Sequence, residues 1–224
     1  MTGDTPLFTL DDPRINASES PYTYFLPTPE RLAAVSPGDH IKLVFRPTIA
    51  GTKWDAERMW VKVETTTNDG FTGALDNEPD DIPGLHAGHP VACKSWHVTA
   101  IAFAPEREAS APPDTRREYW ERCMVDQAVL DGELPIDYLY RETPDMGDPD
   151  DEHPDSGWRI RGDMRNATDE EIEARQPAYI AIGTVLNADD SWLHLVDAPV
   201  GSAFRRDVVT GAYVPAPPDN MKVQ

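Results

Sequence analysis

The sequence predicts an α+β protein: a small β-rich, barrel-like domain, then an α+β domain with a mixed or antiparallel sheet and short helices. Three observations point there. Short alternating apolar segments broken by tight turns recur from Ile41 to Phe103 with little helix between them, the pattern of a small, strongly bent sheet. Beyond them lies Ala104–Asp114, whose small residues, prolines and charges cannot bury enough surface to pack. After that stretch, strand-like runs are interspersed with helix starts. A chain of 224 residues suits one large or two small domains at roughly 100–200 residues each. The expected boundaries are an irregular arm over 1–27, the β-rich domain over 28–104, a linker over 105–115 and the second domain over 116–224.

The arm carries Pro6, Pro13, Pro21 and Pro27 and no apolar period. Thr28-Pro29-Glu30 is a helix start, with a hydroxyl at the cap and proline in the first turn; Ser36-Pro37-Gly38-Asp39 ends it. Ile41, Val44 and Phe45 open the first strand of the domain. Met59, Val61 and Val63 alternate with Trp60, Lys62 and Glu64, giving a strand with two distinct faces. Asn68-Asp69-Gly70 predicts a hairpin turn in which glycine takes a positive φ, and Phe71, Gly73 and Leu75 form the inward set of the returning strand. After a loop with Pro79 and Pro83, Val91–Phe103 is again strand-like.

In the second half, Cys123–Leu130 leads to a turn at Asp131-Gly132, and Ile136–Tyr140 reads as a strand. Glu142–Asp155 is an acidic loop with seven carboxylates and no Lys or Arg. Trp158 and Ile160 mark the next strand, and Thr168 with Glu171 makes a capping box at a helix start. Tyr179–Val185 is expected as a buried strand. Asp189 and Asp190 are expected to cap a short helix carrying Trp192, Leu193 and Val196. Ala203–Arg206 and Ala212–Val214 close the chain as a hairpin turning near Thr210-Gly211.

The formal charge is −20, from 20 Lys and Arg against 40 Asp and Glu. Split after Pro105, it falls as −6 on the first part and −14 on the rest. Such a surface repels phosphate backbones and anionic leaflets, which argues against nucleic-acid or membrane partners, and steers cationic partners inward. The same mixture, with 15 Arg to 5 Lys and 25 Asp among the acids, also arises from a GC-rich genome or a salty cytoplasm. No run approaches the roughly 20 apolar residues of a membrane span, and the start lacks the features of a secretory signal. Two cysteines, Cys93 and Cys123, are too few for a disulfide scaffold. A cytoplasmic protein is the expectation.

Four blocks stand in order in the second half: Tyr138-Leu-Tyr-Arg-Glu142; Asp155-Ser-Gly-Trp-Arg159 with Gly162-Asp163; Thr184-Val-Leu-Asn187; and Asp197-Ala-Pro-Val-Gly-Ser-Ala-Phe-Arg205. In order and rough spacing, residues 120–214 resemble the bacterial immunity proteins of the thirty-third catalogued class. Such domains are antidotes encoded beside polymorphic toxins. The resemblance implies a cognate toxin as partner and no catalytic residue. Glu57-Arg-Met-Trp-Val61, Gly70-Phe-Thr-Gly-Ala-Leu-Asp-Asn77 and Leu85-x-x-Gly88 make the first half similar to another family of small bacterial domains of unknown function.

Other chemistries fit less well. His86, His89, Cys93 and His97 are zinc-binding types, but their spacing matches no standard finger. Setting Asp148, Asp150 and Glu152 on the calcium-loop template puts His153 where glycine is needed and Arg159 where the bidentate glutamate belongs. No nucleophile elbow, phosphate loop or dinucleotide fingerprint is present. No cofactor, metal or catalytic residue is therefore expected.

The partner-binding candidates are Arg141, Glu142, Asp145, Asp148, Asp150, Asp151, Glu152, Asp155 and Arg159, gathered around the acidic loop. A structural role competes with recognition: Arg141 and Arg159 on adjacent strands paired with Asp155 and Asp163 to pin the loop, with Trp158 in the core. The leading function is a non-catalytic immunity protein that neutralises a toxin, for instance a basic nuclease, through an acidic surface. The rivals are a ligand- or peptide-binding regulatory module using Trp54, Trp60 and Trp96, and a metal-dependent hydrolase built on the acidic loop.

Overall fold

A computed structural model describes residues 6–50, 52–148 and 150–217; the first five residues of the expected arm and Pro149 of the acidic loop lie outside them. The chain divides into two compact units, Met1–Arg116 and Arg117–Gln224.

In the first unit, the alternating apolar residues curl one sheet into a nearly closed barrel. Strand β2 (His40–Pro47) pairs with β3 (Glu57–Thr66), β3 with β4 (Gly70–Leu75), and β4 with β5 (Pro90–Lys94), all antiparallel. A 3-10 turn at Ser95–His97 then leads into β6 (Ala100–Ala102), which returns to β2. Ile41, Leu43, Phe45, Met59, Val61 and Val63 point inward and are buried. Burial of side chains of this size supplies about 1.5–3 kcal/mol each.

The segment expected as an irregular arm contains β1 (Phe8–Leu10) and α1 (Pro13–Glu19). Its prolines are no obstacle: Pro13 sits in the first helical turn, where a missing N–H costs nothing, and Asp12 caps that turn. β1 pairs with the far end of β2 and lays Phe8 and Leu10 against the core. Helix α2 (Pro29–Ala34) starts at Thr28, whose hydroxyl accepts from the Arg31 N–H.

The stretch expected as a linker also differs. It opens with α3 (Pro105–Glu108) and is tied to the barrel through Asp39, a fully buried carboxylate. Asp39 accepts from Ser36 N–H at 2.8 Å, Ala104 N–H at 2.9 Å and the Arg107 guanidinium, while Arg107 also donates to the Ala34 carbonyl at 2.6 Å. A buried carboxylate recruits its donors, and composition alone does not reveal that. Gly70 corrects another detail. It does not take a positive φ; a Cβ there would lie 1.9 Å from the Cys93 carbonyl oxygen, so close strand approach is what demands glycine.

The second unit is a mixed sheet in the order β10-β7-β9-β8-β11-β12. Its strands are β7 (Arg122–Asp126), β8 (Ile136–Arg141), β9 (Asp155–Gly162), β10 (Pro177–Ala181), β11 (Ala203–Arg206) and β12 (Tyr213–Pro215). β7 and β9 run parallel and the other pairs antiparallel. The short helices are α4 (Gln127–Leu130), α5 (Asp169–Glu173) and α6 (Ile182–Ala188). Cys123, Val125, Leu139, Trp158 and Ile160 of the sheet are all fully buried. Trp158 meets Trp192 edge-on at 5.6 Å and donates its indole N–H to the Val196 carbonyl at 3.0 Å.

Tyr179–Val185 is not one strand: β10 ends at Ala181 and α6 begins at Ile182. A short apolar run reads alike in a buried strand and a buried helix. Here Ile182 N–H donates to the Glu121 carbonyl and Gly183 N–H to the Tyr119 carbonyl at the point of change. The helix expected at Asp189–Val196 is only a 3-10 turn at Leu193–Leu195. The α5 capping box, the Asp131-Gly132 turn with Gly132 at φ 72° and the closing hairpin form as expected. The molecule is α+β as predicted, with an antiparallel barrel-like sheet first and a mixed sheet second.

Candidate functional site

The acidic loop leaves β8 at Arg141 and enters β9 at Asp155. Its neck closes where Glu142 N–H donates to the Gly157 carbonyl at 2.9 Å. Gly157 has φ 81°, and a Cβ there would lie 2.1 Å from the Glu142 carbonyl oxygen. Only glycine fits both the conformation and the approach.

Arg159, 2% exposed, lies beneath this neck. Its fork meets Asp155 with Nη1 to Oδ1 at 2.9 Å and Nη2 to Oδ2 at 2.8 Å, Nη2 also reaches Asp145 at 2.9 Å, and Nε binds Glu142 at 2.5 Å. The planar fork lets one guanidinium hold three carboxylates. Asp155 further accepts from the N–H groups of Gly157, Asp145 and Met146. Burial works against its charge, but the Arg159 hydrogen bonds, these N–H donors and the Arg159 charge outweigh it and hold the carboxyl at about 2. Burial likewise opposes the charge on Arg159, and Asp155 with Glu142 more than compensates, so its pKa is raised.

Arg141 makes no carboxylate pair of the expected kind. It donates to the carbonyls of Ser156 at 2.9 Å and Ala198 at 2.8 Å and lies over the Trp158 ring at 5.8 Å. Asp163 pairs with Arg165 rather than with the loop. Five of the nine candidates, Arg141, Glu142, Asp145, Asp155 and Arg159, therefore gather at the neck as a structural clasp, though Glu142 and Asp145 keep part of their surface in water. Asp148, Asp150, Asp151 and Glu152 stand exposed at the tip. There Asp148 accepts from Asp150 N–H and Asp151 from His153 N–H; among the described residues no ion pair involves these four. The clasp presents the tip, and the tip presents charge.

Among the described residues, no three His, Cys, Asp or Glu side chains converge as a metal site. His86 pairs with Glu78 at 2.9 Å, His89 lies edge-on to Phe8, and His97 accepts from Lys94 N–H at 3.0 Å. Burial pushes the Cys93 thiol up to about 11 and the Cys123 thiol to about 12, which favours the neutral thiol over the nucleophilic thiolate at both. Trp54 is exposed, donates to Asp80 and carries Lys53 over its ring. Trp60 lies under Lys42, and Trp96 is flanked by Arg14 and His97. Each tryptophan thus has a partner within the molecule.

A cavity of about 610 Å³ opens beside α5, bordered by Asp126, Leu134, Met164, Glu171 and Arg175. Asp126 is held by Arg161 at 3.0 Å and Gly162 N–H at 2.9 Å, and Glu171 by its own capping box.

Residues 123–215 match the model of the Immunity protein Imm33 domain. Over that stretch the chain is similar to an immunity protein domain. The match takes in β7 from Cys123 through the last residue of β12, so the clasp, the acidic loop and the closing hairpin all lie within the matched residues. No curated protein and no solved structure matches the chain. Among the described residues, no helix is long and apolar enough to cross a membrane.

Proposed function

We propose that this protein binds and neutralises a cognate toxin stoichiometrically, without turning over a substrate, and that the tip of the acidic loop guides the encounter. The observation that carries the reading is the Imm33 match together with the architecture inside it. The buried Arg159 clasp commits its charge to holding a loop whose four tip acids are left in water. Fixed, exposed charges raise association rates with oppositely charged surfaces, so the toxin surface is read as cationic, as in a nuclease that grips a phosphate backbone. The nine sequence candidates divide accordingly: Asp148, Asp150, Asp151 and Glu152 meet the partner, Glu142 and Asp145 border the contact, and Arg141, Asp155 and Arg159 position the loop.

The test is genetic and then kinetic. Deleting this gene should poison the cell only when the neighbouring toxin gene is intact; viability with that toxin intact contradicts the immunity reading. With the purified pair, Asp148→Asn, Asp150→Asn, Asp151→Asn and Glu152→Gln together should slow association about tenfold at low salt. Unchanged association would remove the loop from the encounter while leaving neutralisation in place.

A further inference from the structure

The β11–β12 hairpin ends in the turn Asp207-Val-Val-Thr-Gly-Ala212, and its two valines break the usual rule for turns. Such positions favour Gly, Asn, Asp, Ser and Pro, yet Val208 is 68% exposed and Val209 89% exposed. Val214 on β12, the edge strand of the sheet, is exposed as well. The turn around the valines is closed on itself. Asp207 Oδ1 accepts from Val209 N–H at 3.0 Å, Thr210 N–H at 2.7 Å and the Thr210 hydroxyl at 2.9 Å. Asp207 N–H donates to the Ala212 carbonyl and Gly211 N–H to the Asp207 carbonyl, both at 2.8 Å, with Gly211 at φ 73°. The N–H donors from the Thr210 and Val209 backbones together with the Thr210 hydroxyl keep the Asp207 carboxyl below its usual range.

A turn held in one conformation by the Asp207 bonds presents its two valines already ordered and loses little freedom on docking. From this geometry we infer that the Val208–Val209 tip is the anchor that inserts into an apolar socket on the toxin. The inference rests on the toxin-binding reading above and adds to it a second contact of different physics. Long-range charge selects the partner: the unit from Arg117 onward has 10 Lys and Arg against 23 Asp and Glu, a net −13, which draws in a cationic toxin, while the hairpin itself, with Arg205 and Arg206 beside Asp207, leaves the tip contact to the valines. The hairpin also lies wholly inside the Imm33 match, which ends at its last strand residue.

The two contacts separate kinetically. Long-range charge acts chiefly on association, whereas a buried apolar anchor acts on dissociation. The probe is the protein encoded beside this gene, titrated onto the immobilised full chain at low and high salt. The variant Val208→Ser with Val209→Ser should dissociate at least tenfold faster, with association rate and salt dependence unchanged. Its Tm should equal that of the parent, because neither side chain packs inside the molecule. Parental dissociation kinetics in this variant, or a lowered Tm, overturns the inference. So does a parent chain that is dimeric in solution and becomes monomeric in the variant, since the valines would then serve a second copy. If the unsubstituted chain fails to bind at all, the toxin reading itself falls and the anchor falls with it, an outcome distinguished by the missing parental signal.

Discussion

Arg159 ties three carboxylates of the C-terminal unit to one guanidinium. It is buried against Asp155 and holds Glu142 and Asp145 from the loop. Replacing it with Met leaves the Asp155 carboxylate, 1% exposed, without its counter-charge, and we expect a loss of about 3–5 kcal/mol in urea unfolding. A loss under about 1 kcal/mol would show the clasp to be dispensable. Asp155 gives the pH dependence. Its folded value of about 2 lies below an unfolded value near 3.9, so its contribution is complete above about pH 4 and drains away as the pH falls toward 2. The expected size is about 2 kcal/mol. Asp155→Asn should flatten the stability profile across that window; an unchanged slope would exclude this carboxylate as the source. The sequence displayed Arg159, Asp155 and Asp163 as candidate partners, and the loop-pinning role suggested for Arg159 is what forms. What it concealed was the choice among carboxylates. With 40 acids in the chain, only the register of β8 against β9, Tyr140 opposite Arg159 and Arg141 opposite Trp158, selects Glu142 and Asp145 over Asp163.

At the scale of elements, glycines and buried acids place the loops. Gly157→Ala brings a Cβ to 2.1 Å from the Glu142 carbonyl at a φ of 81°, and should cost at least about 2 kcal/mol; a thermal scan showing parental stability would contradict the neck geometry. Arg107→Ala removes the charged donor from the buried Asp39 and leaves it two N–H groups. We expect the barrel to lose about 2 kcal/mol, with proteolysis appearing first near α3, the stretch that composition alone presents as a linker. Strands with clear alternation, such as Met59–Val63, were legible because one face is buried and the other wet. The change from strand to helix at Ala181 and Ile182 was not, because a short apolar run from a half-buried strand into a buried helix shows no period that tells the two apart. Nor was the pairing of β1 with β2, since three residues are too few to show a period.

For the whole molecule, the net charge of −20 and the Imm33 match over residues 123–215 are what the proposed mode of action rests on: attraction at a distance, then a fixed surface that blocks. The four blocks that carried the family resemblance fall on structural parts of the unit, including the clasp, the body of α6 and the start of β11, which is why they were readable before the proposed contact surface was. Surface residues such as Val208 and Val209 leave a fainter trace, an apolar pair where a turn calls for polar residues. Because charge accelerates association and is screened by salt, raising ionic strength from about 0.05 to 0.5 M should weaken association of the pair while leaving dissociation near its low-salt value. The most direct test of the central claim is a titration of the neighbouring toxin's activity with this purified chain. Inhibition should rise linearly and reach completion at one equivalent, with the inhibitor recovered intact and able to block a second portion of toxin after release. Inhibition at far less than one equivalent, or chemical alteration of the toxin by this chain, would contradict a stoichiometric, non-catalytic immunity protein.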